Sequence, residues 1–349
     1  MKIFRTINKE KYVFDFLINV RSSNFYYDEI KHLGGEIYYG YPKSKHPLKS
    51  FLSVRKIVKE GQYKIVFCIA VHPIGFLDLL ASKMGGAKLR IIRSTNSTSG
   101  GLLSRICAKV CRPFVQKFAS WMVAPSTEAG LWLCGEKGIH SNSFIIIPNG
   151  VEPPAYEYKI SDSEKIKKEL NIAQNTTVIG HVGRFNAQKN HNYLIDVFYQ
   201  YRKKNNNSVL LLVGTGELME SVRKRVEALN IQDYVKFLGR RNDVASIMAS
   251  MDVLVMPSLY EGMPNVVIEA QTNGLKCLVS DTITKEVGIT DLITYKSISD
   301  EPRIWADSIG EMLSQKNKPR EKYVHDIIAK GYAISYSSEC LEKIFDEVM

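Results

Sequence analysis

Apolar residues in this chain recur in two alternating rhythms: short unbroken runs such as Val209-Leu210-Leu211-Leu212-Val213 and Val253-Leu254-Val255-Met256, and longer stretches with apolar positions three or four apart. The runs have the length of buried strands, and the spaced stretches have the period of amphipathic helices. In the first half the pattern predicts strands near residues 12–19, 36–39, 63–70, 89–93, 121–124 and 144–148, with helices near 47–60, 75–84, 102–118 and 127–135. In the second half it predicts strands near 176–182, 208–213, 234–238, 252–256, 276–280 and 292–295. These alternate with helices near 163–170, 191–204, 217–229, 243–250, 264–273, 301–315, 319–329 and 336–348. Repetition of strand and helix implies mostly parallel sheets with helices on both faces. The expected fold class is therefore α/β, with two doubly wound domains joined near Asn149 to Glu152.

Three strand ends carry chemistry as well as pattern. Thr177 to Val182 runs into Gly183-Arg184-Phe185, and Asn186-Ala187-Gln188-Lys189-Asn190-His191 opens the next helix. Arg184 and Lys189 are two cations at one strand-to-helix junction, with glycine letting the backbone come close to a ligand. Val213 leads into Gly214-Thr215-Gly216, a turn that on its own marks a loop more often than a site. After Met256 the chain continues Pro257-Ser258-Leu259-Tyr260-Glu261-Gly262-Met263-Pro264-Asn265-Val266-Val267-Ile268-Glu269. Pro264 suits the first turn of a helix, Glu261 stands at the mouth of that turn, and Glu269 lies inside the helix. Backbone N–H groups from Gly262 to Val266 would point out of the helix N-terminus, where the dipole favours a phosphate. Taken singly, each segment also fits a doubly wound protein without a ligand.

In this order and combination, the segments are similar to the retaining glycosyltransferases of family 4, whose nucleotide-sugar domain carries G-R-[FL]-x-x-x-K-[NG], then V-G-x-G, then E-G-x-P-x-x-x-x-E. The resemblance runs over most of the chain and is nearest to the bacterial exopolysaccharide and capsule branch. It includes Ile147-Pro148-Asn149-Gly150-Val151, which matches that family's domain junction, and Phe237-Leu238-Gly239-Arg240, which matches its base-contacting segment. The resemblance implies the GT-B architecture, two Rossmann-like domains facing across a cleft. Residues 1–150 would be the acceptor-binding domain, 151–330 the nucleotide-sugar domain, and 331–349 a last helix returning to the first domain.

The resemblance also implies roles. Arg184, Lys189 and Glu261 become the catalytic candidates, the two cations clamping the leaving diphosphate and the glutamate meeting the sugar. Donor binding would fall to Gly183, Gly214, Gly216, Leu238, Arg240, Gly262, Met263, Pro264, Asn265 and Glu269, the last accepting bonds from the ribose hydroxyls. Two fixed cations replace much of what a metal ion would supply, and the sequence has no Asp-x-Asp motif to hold one. No metal or cofactor is expected, and the donor would be a nucleoside-diphosphate sugar, with a UDP-sugar first in expectation. The acceptor would be a glycan or a glycan on a polyprenyl diphosphate. On that side the chain departs from its relatives. Phe4 to Phe16 matches the segment after their first strand and Gly-Gly loop, so either the start lies further upstream or the first sheet lacks a strand. The histidines that relatives carry near Phe67 and in the motif here reading Arg93-Ser94-Thr95-Asn96 are missing. His72, Arg93 and Asn96 remain as acceptor-side candidates. Two rival readings are a nucleotide-sugar-binding remnant without transfer activity and a nucleotide-sugar epimerase of the same fold.

At 349 residues, 45% apolar and 24% charged, the chain is long enough for two cores. It contains no apolar window long enough to span a membrane and no signal-peptide core, and its six cysteines follow no metal-ligand spacing. Reduced thiols in a cytoplasmic protein are the expectation. The net charge of +11 is unevenly placed: residues 1–150 hold 22 Lys plus Arg against 9 Asp plus Glu, whereas residues 151–349 hold 25 against 27. Within the first half, Arg105, Lys109, Arg112 and Lys117 are interleaved with Leu102, Leu103, Ile106, Val110, Phe114 and Phe118. Such a helix either lies against an anionic membrane or turns its apolar side to the core with a solvated basic side. The membrane-bound acceptor implied by the resemblance favours peripheral association with the inner face of the cell membrane. No nucleic-acid partner is expected, because Tyr26, Tyr27, Tyr38, Tyr39 and Tyr41 cluster away from the basic helix.

Overall fold

The computed structural model describes residues 1–19, 26–95, 101–316 and 318–348. Asn96 lies outside the described residues. The chain forms two compact units, one of Met1–Gly150 with Ile334–Met349 and the other of Val151–Ala333.

In the first unit, chain order gives α1 (Lys2–Thr6), β1 (Phe16–Ile18), α2 (Tyr27–His32), β2 (Ile37–Tyr39), α3 (Pro47–Glu60) and β3 (Ile65–Ala70). It continues with α4 (Phe76–Gly85), β4 (Leu89–Ser94), α5 (Leu102–Phe118), β5 (Trp121–Ala124), α6 (Thr127–Ile139) and β6 (Phe144–Ile146). Among the described residues, β3, β4, β5 and β6 form one parallel sheet in that order, and β1 pairs with β2 in a separate parallel sheet. The pattern predicted a helix over 127–135, but α6 continues to Ile139 across a break at Gly135, whose φ of 71° and ψ of 178° only a glycine adopts readily.

The second unit runs α7 (Pro153–Tyr156), α8 (Ile160–Glu169), β7 (Thr177–Val182), α9 (His191–Lys204), β8 (Ser208–Val213), α10 (Met219–Ala228) and β9 (Val235–Gly239). Then come α11 (Val244–Ser250), β10 (Val253–Met256), α12 (Asn265–Thr272), β11 (Lys276–Ser280), β12 (Ile293–Lys296), α13 (Pro302–Ser314) and α14 (Tyr323–Ala329). Its strands form a parallel sheet in the order β12-β11-β10-β7-β8-β9. Strands buried on both faces read as continuous apolar runs, and every residue of β8 and β10 is buried. The pleat divides them: Val209, Leu211 and Leu254 enter one core with Val267 and Ile268 of α12, while Leu210, Leu212, Val253 and Val255 enter the other with Leu194, Val197 and Phe198 of α9. The helices that come after the adjacent strands β7 and β10 thus pass to opposite faces of the sheet. That divergence opens a crevice at the strand C-termini, the place where doubly wound sheets bind ligands.

The last helix, α15 (Ile334–Phe345), belongs to the first unit. Its Leu341, Ile344 and Phe345 join Phe4, Ile7, Tyr12, Leu89 and Ile91 in one core. Thr6 and Ser338 hydroxyls lie 2.5 Å apart, Asn8 donates its backbone N–H to Glu342 at 2.8 Å, and the Tyr12 hydroxyl donates to Asp346.

Candidate functional site

The crevice between β7 and β10 is lined by three loops that hold one another. Gly183 N–H donates to Val213 O at 2.9 Å, Phe185 N–H to Thr215 O at 3.1 Å and Leu218 N–H to Phe185 O at 3.0 Å. Such close backbone contact needs glycine. Gly214 has a φ of +134°, and a Cβ on it would stand 2.0 Å from Gly183 O; one on Gly216 would stand 2.4 Å from Phe185 O. The loop after β10 is tied in by Leu259 N–H to Gln188 O at 2.8 Å, Gln188 Nε2 to Tyr260 O at 2.9 Å and Thr282 Oγ1 to Ser258 O at 2.9 Å.

These ties bring together residues far apart in sequence. Lys189 Nζ lies 2.7 Å from Glu261 Oε1, with the two side chains 14% and 11% exposed. The approach is a charge contact outside good hydrogen-bond alignment, since Oε1 has no aligned donor. The Lys189 stem lies along Gly183: a Cβ there would stand 3.1 Å from Lys189 Cε and 2.9 Å from His181 Nε2. Arg184, five residues earlier, faces solvent at 71% exposure and meets Glu217 at 3.2 Å. The pair Lys189 and Glu261 is therefore largely shielded from solvent, whereas Arg184 is held by an exposed contact that water screens.

Two histidines that strand and motif pattern do not single out stand behind Lys189. His181 and His191 are buried, with ring centroids 4.7 Å apart, and His191 stacks on Phe185 at 4.1 Å. His181 Nδ1 is 2.8 Å from Val255 O. Because a carbonyl only accepts, this nitrogen carries the proton. Burial first, and the neighbouring charges second, push both imidazoles down: His181 well below its ordinary 6.5 and His191 to about 4. Both are neutral at neutral pH, so the positive charge at this point is that of Lys189.

On the other side of the crevice, α12 begins at Asn265 with Pro264 as its N-cap residue, one position later than the sequence predicts for the first helical turn. Pro264 has a helical φ of −73° but an extended ψ of 112°. Gly262 and the buried Met263 complete the turn. Glu269 is half-buried within α12 and accepts from the Tyr156 hydroxyl, which burial and this carboxylate together hold protonated. Leu238 packs against the core at the end of β9, and Arg240 lies just beyond it as an exposed residue. Among the described residues, no three His, Cys, Asp or Glu side chains gather as a metal site would.

The acceptor-side candidates belong to the first unit. His72 Nδ1 accepts from Ile74 N–H at 3.1 Å and Nε2 lies 3.0 Å from Ser104 O, so both ring nitrogens are engaged. Arg93 is buried, and its Nη2 donates to Ile147 O at 3.0 Å, Pro148 O at 3.3 Å and Asn149 Oδ1 at 3.0 Å. Desolvation lowers its guanidinium to about 10, still charged at neutral pH.

Residues 162–326 match the family described as glycosyl transferases group 1. The chain is 29% identical over 354 residues to the putative glycosyltransferase EpsF of Bacillus subtilis, covering 99% of this chain and 91% of that protein. It is also 29% identical over 242 residues to the UDP-Gal:alpha-D-GlcNAc-diphosphoundecaprenol alpha-1,3-galactosyltransferase of Escherichia coli, covering 67% of this chain and 62% of that one. The fold is that of Anabaena Alr3699/HepE in complex with UDP-glucose, with a TM-score of 0.76 and 20% identity over 95% of this chain and 91% of that one.

Proposed function

We propose, from the match of residues 162–326 to the group 1 glycosyl transferases and the likeness to EpsF, that this chain of GT-B fold is a glycosyltransferase that moves a sugar from a nucleoside-diphosphate sugar, UDP-linked, to a glycan or lipid-linked glycan acceptor. The transfer retains the anomeric configuration, needs no metal, and serves bacterial surface polysaccharide synthesis as a family 4 enzyme. The observation that carries the reading is the half-buried Lys189–Glu261 pair beside the exposed Arg184, at the switch point of the second unit's sheet.

Breaking the sugar–phosphate bond leaves negative charge on the diphosphate while the anomeric carbon gains oxocarbenium character, and fixed cations lower that barrier. Lys189 keeps its place against Glu261 and offers its N–H bonds to the diphosphate. Arg184 exchanges its weak contact with Glu217 for a phosphate. Each such charge-assisted bond contributes about 1.5–3 kcal/mol. The first turn of α12 adds backbone donors, Glu261 meets the sugar, and Glu269 takes the ribose hydroxyls. Leu238 and Arg240 flank the base. The first unit, with His72, Arg93 and Asn96 as candidates, receives the acceptor, in peripheral contact with the inner face of the cell membrane. The likeness to a relative whose name gives a UDP-sugar donor and a diphosphoundecaprenol acceptor supports this choice of substrates.

Calorimetric titration of the purified chain with UDP, GDP and ADP tests it. Micromolar binding of UDP, lost in an Arg184→Ala, Glu269→Ala variant and unchanged by EDTA, is the expected result. Absence of binding to all three nucleotides would reject the proposal.

A further inference from the structure

A cavity of about 240 Å³ lies between the start of α9 and the start of α10, helices that pack on the sheet face opposite α12. Three carboxamides line it, those of Asn186, Asn190 and Asn192, together with His191, Leu218 and Val222. The turn between β7 and α9 sets two of the three. Asn186 Oδ1 accepts from Lys189 N–H at 3.2 Å, and Asn190 takes the left-handed conformation at φ 53° and ψ 48°, which asparagine tolerates better than most residues. Turn chemistry does not explain Asn192, exposed in the first turn of α9, where asparagine is a poor helix former. His191 at the cavity wall is 3% exposed, and neither of its ring nitrogens has a partner in the protein. Nearby charges are already paired: Asp196, one turn along α9 from Asn192, holds Arg225 at 2.7 Å, and Arg184 holds Glu217. Among the described residues, no Lys, Arg, Asp or Glu lines the cavity itself.

We propose that this cavity is a saccharide subsite that takes one neutral sugar unit. A carboxamide presents N–H and C=O side by side, which suits adjacent hydroxyls that each donate and accept. Leu218 and Val222 supply an apolar wall for the C–H face of a sugar ring. Without a lining cation the cavity is a poor home for a phosphate, and an apolar ligand would leave three amides desolvated and unbonded. Its volume lies below the roughly 300–1,000 Å³ of sites for drug-sized ligands, so the occupant is a single ring, with any further units passing into solvent beside the exposed Asn192. The inference rests on the proposed function only for the source of that sugar, a unit of the glycan acceptor or product.

Saturation-transfer NMR and calorimetry on the full chain test it, with free glucose, galactose and N-acetylglucosamine, each in the presence and absence of UDP. Binding of at least one of the three in the millimolar range, unchanged by UDP, is the expected result. Asn192→Ala should weaken it about tenfold, as losing one or two neutral hydrogen bonds does. Asn192→Trp, whose ring enters the cavity from an exposed position, should abolish it, with thermal melting and UDP binding as in the parent. No binding of any of the three sugars, binding that UDP displaces, or binding that Asn192→Trp retains would overturn the proposal. UDP binding without sugar binding would remove this subsite and leave the proposed function standing; sugar binding of the expected kind by a chain that binds no nucleotide would do the reverse.

Discussion

The charge arrangement around Lys189 makes sharp demands on single residues. Removing Lys189 leaves Glu261 as a nearly buried carboxylate without a counter-charge, which typically costs about 3–5 kcal/mol. Guanidinium unfolding of Lys189→Ala should show a loss of that order, and adding Glu261→Gln should restore much of it; additive losses would mean that the pair is not coupled. The histidines bring a pH dependence with a definite sign. Both are held neutral in the fold, while in the unfolded chain they titrate near 6.5. Between about 6.5 and 4 the unfolded state binds more protons, so stability is complete above that window and falls as the pH drops through it. Unfolding midpoints measured across the window should fall with pH, and His191→Phe, which keeps a ring against Phe185, should flatten the slope. Arg184, Lys189, Glu261 and Glu269 stood out in the sequence as charged residues at strand-to-helix junctions, and the order of the three segments, through the resemblance it carries, made them site candidates. His181 and His191 were not, because their burial depends on Phe185 and on Val255 O, a partner 74 residues along the chain from His181.

At the scale of elements, apolar runs and glycine punctuation located nearly every strand and helix of the second unit, because a strand covered on both faces leaves little freedom in its residue types. Legibility fell where a single backbone conformation decides. Gly135 looked like a helix end and is a break within α6; Pro264 looked like a first helical turn and is the residue before it. The pairing of β1 with β2 apart from the other strands of the first unit has no signature in either segment. Gly214 and Gly216 looked like an ordinary turn, yet their missing Cβ atoms are what lets the β8 loop lie on the β7 loop. Gly214→Ala combines a φ of +134° with a Cβ 2.0 Å from Gly183 O, so it must push apart the loops that carry Arg184 and Lys189. Its cost in stability should be about 1–3 kcal/mol, and calorimetry should show UDP affinity falling at least as far as in Arg184→Ala.

At the scale of the molecule, the uneven charge read from the sequence tracks the unit boundary: the excess of cations lies in residues 1–150. The discontinuity of the first unit is the larger fact. Deleting residues 334–348 would strip Leu341, Ile344 and Phe345 from the core around Phe4 and Tyr12. Hydrogen exchange on such a truncated chain should show protection lost in β3 to β6 and kept in β7 to β12; uniform protection would contradict the assignment of α15 to the first core. The same discontinuity sets a timetable for synthesis. A ribosome completes residues 1–150, then makes the 183 residues of the second unit before the segment that finishes the first core emerges. At about 5–20 residues per second that interval is roughly 10–40 s. By its end the second unit has all of its own chain, while the first has waited with an apolar face uncovered and a basic surface already exposed.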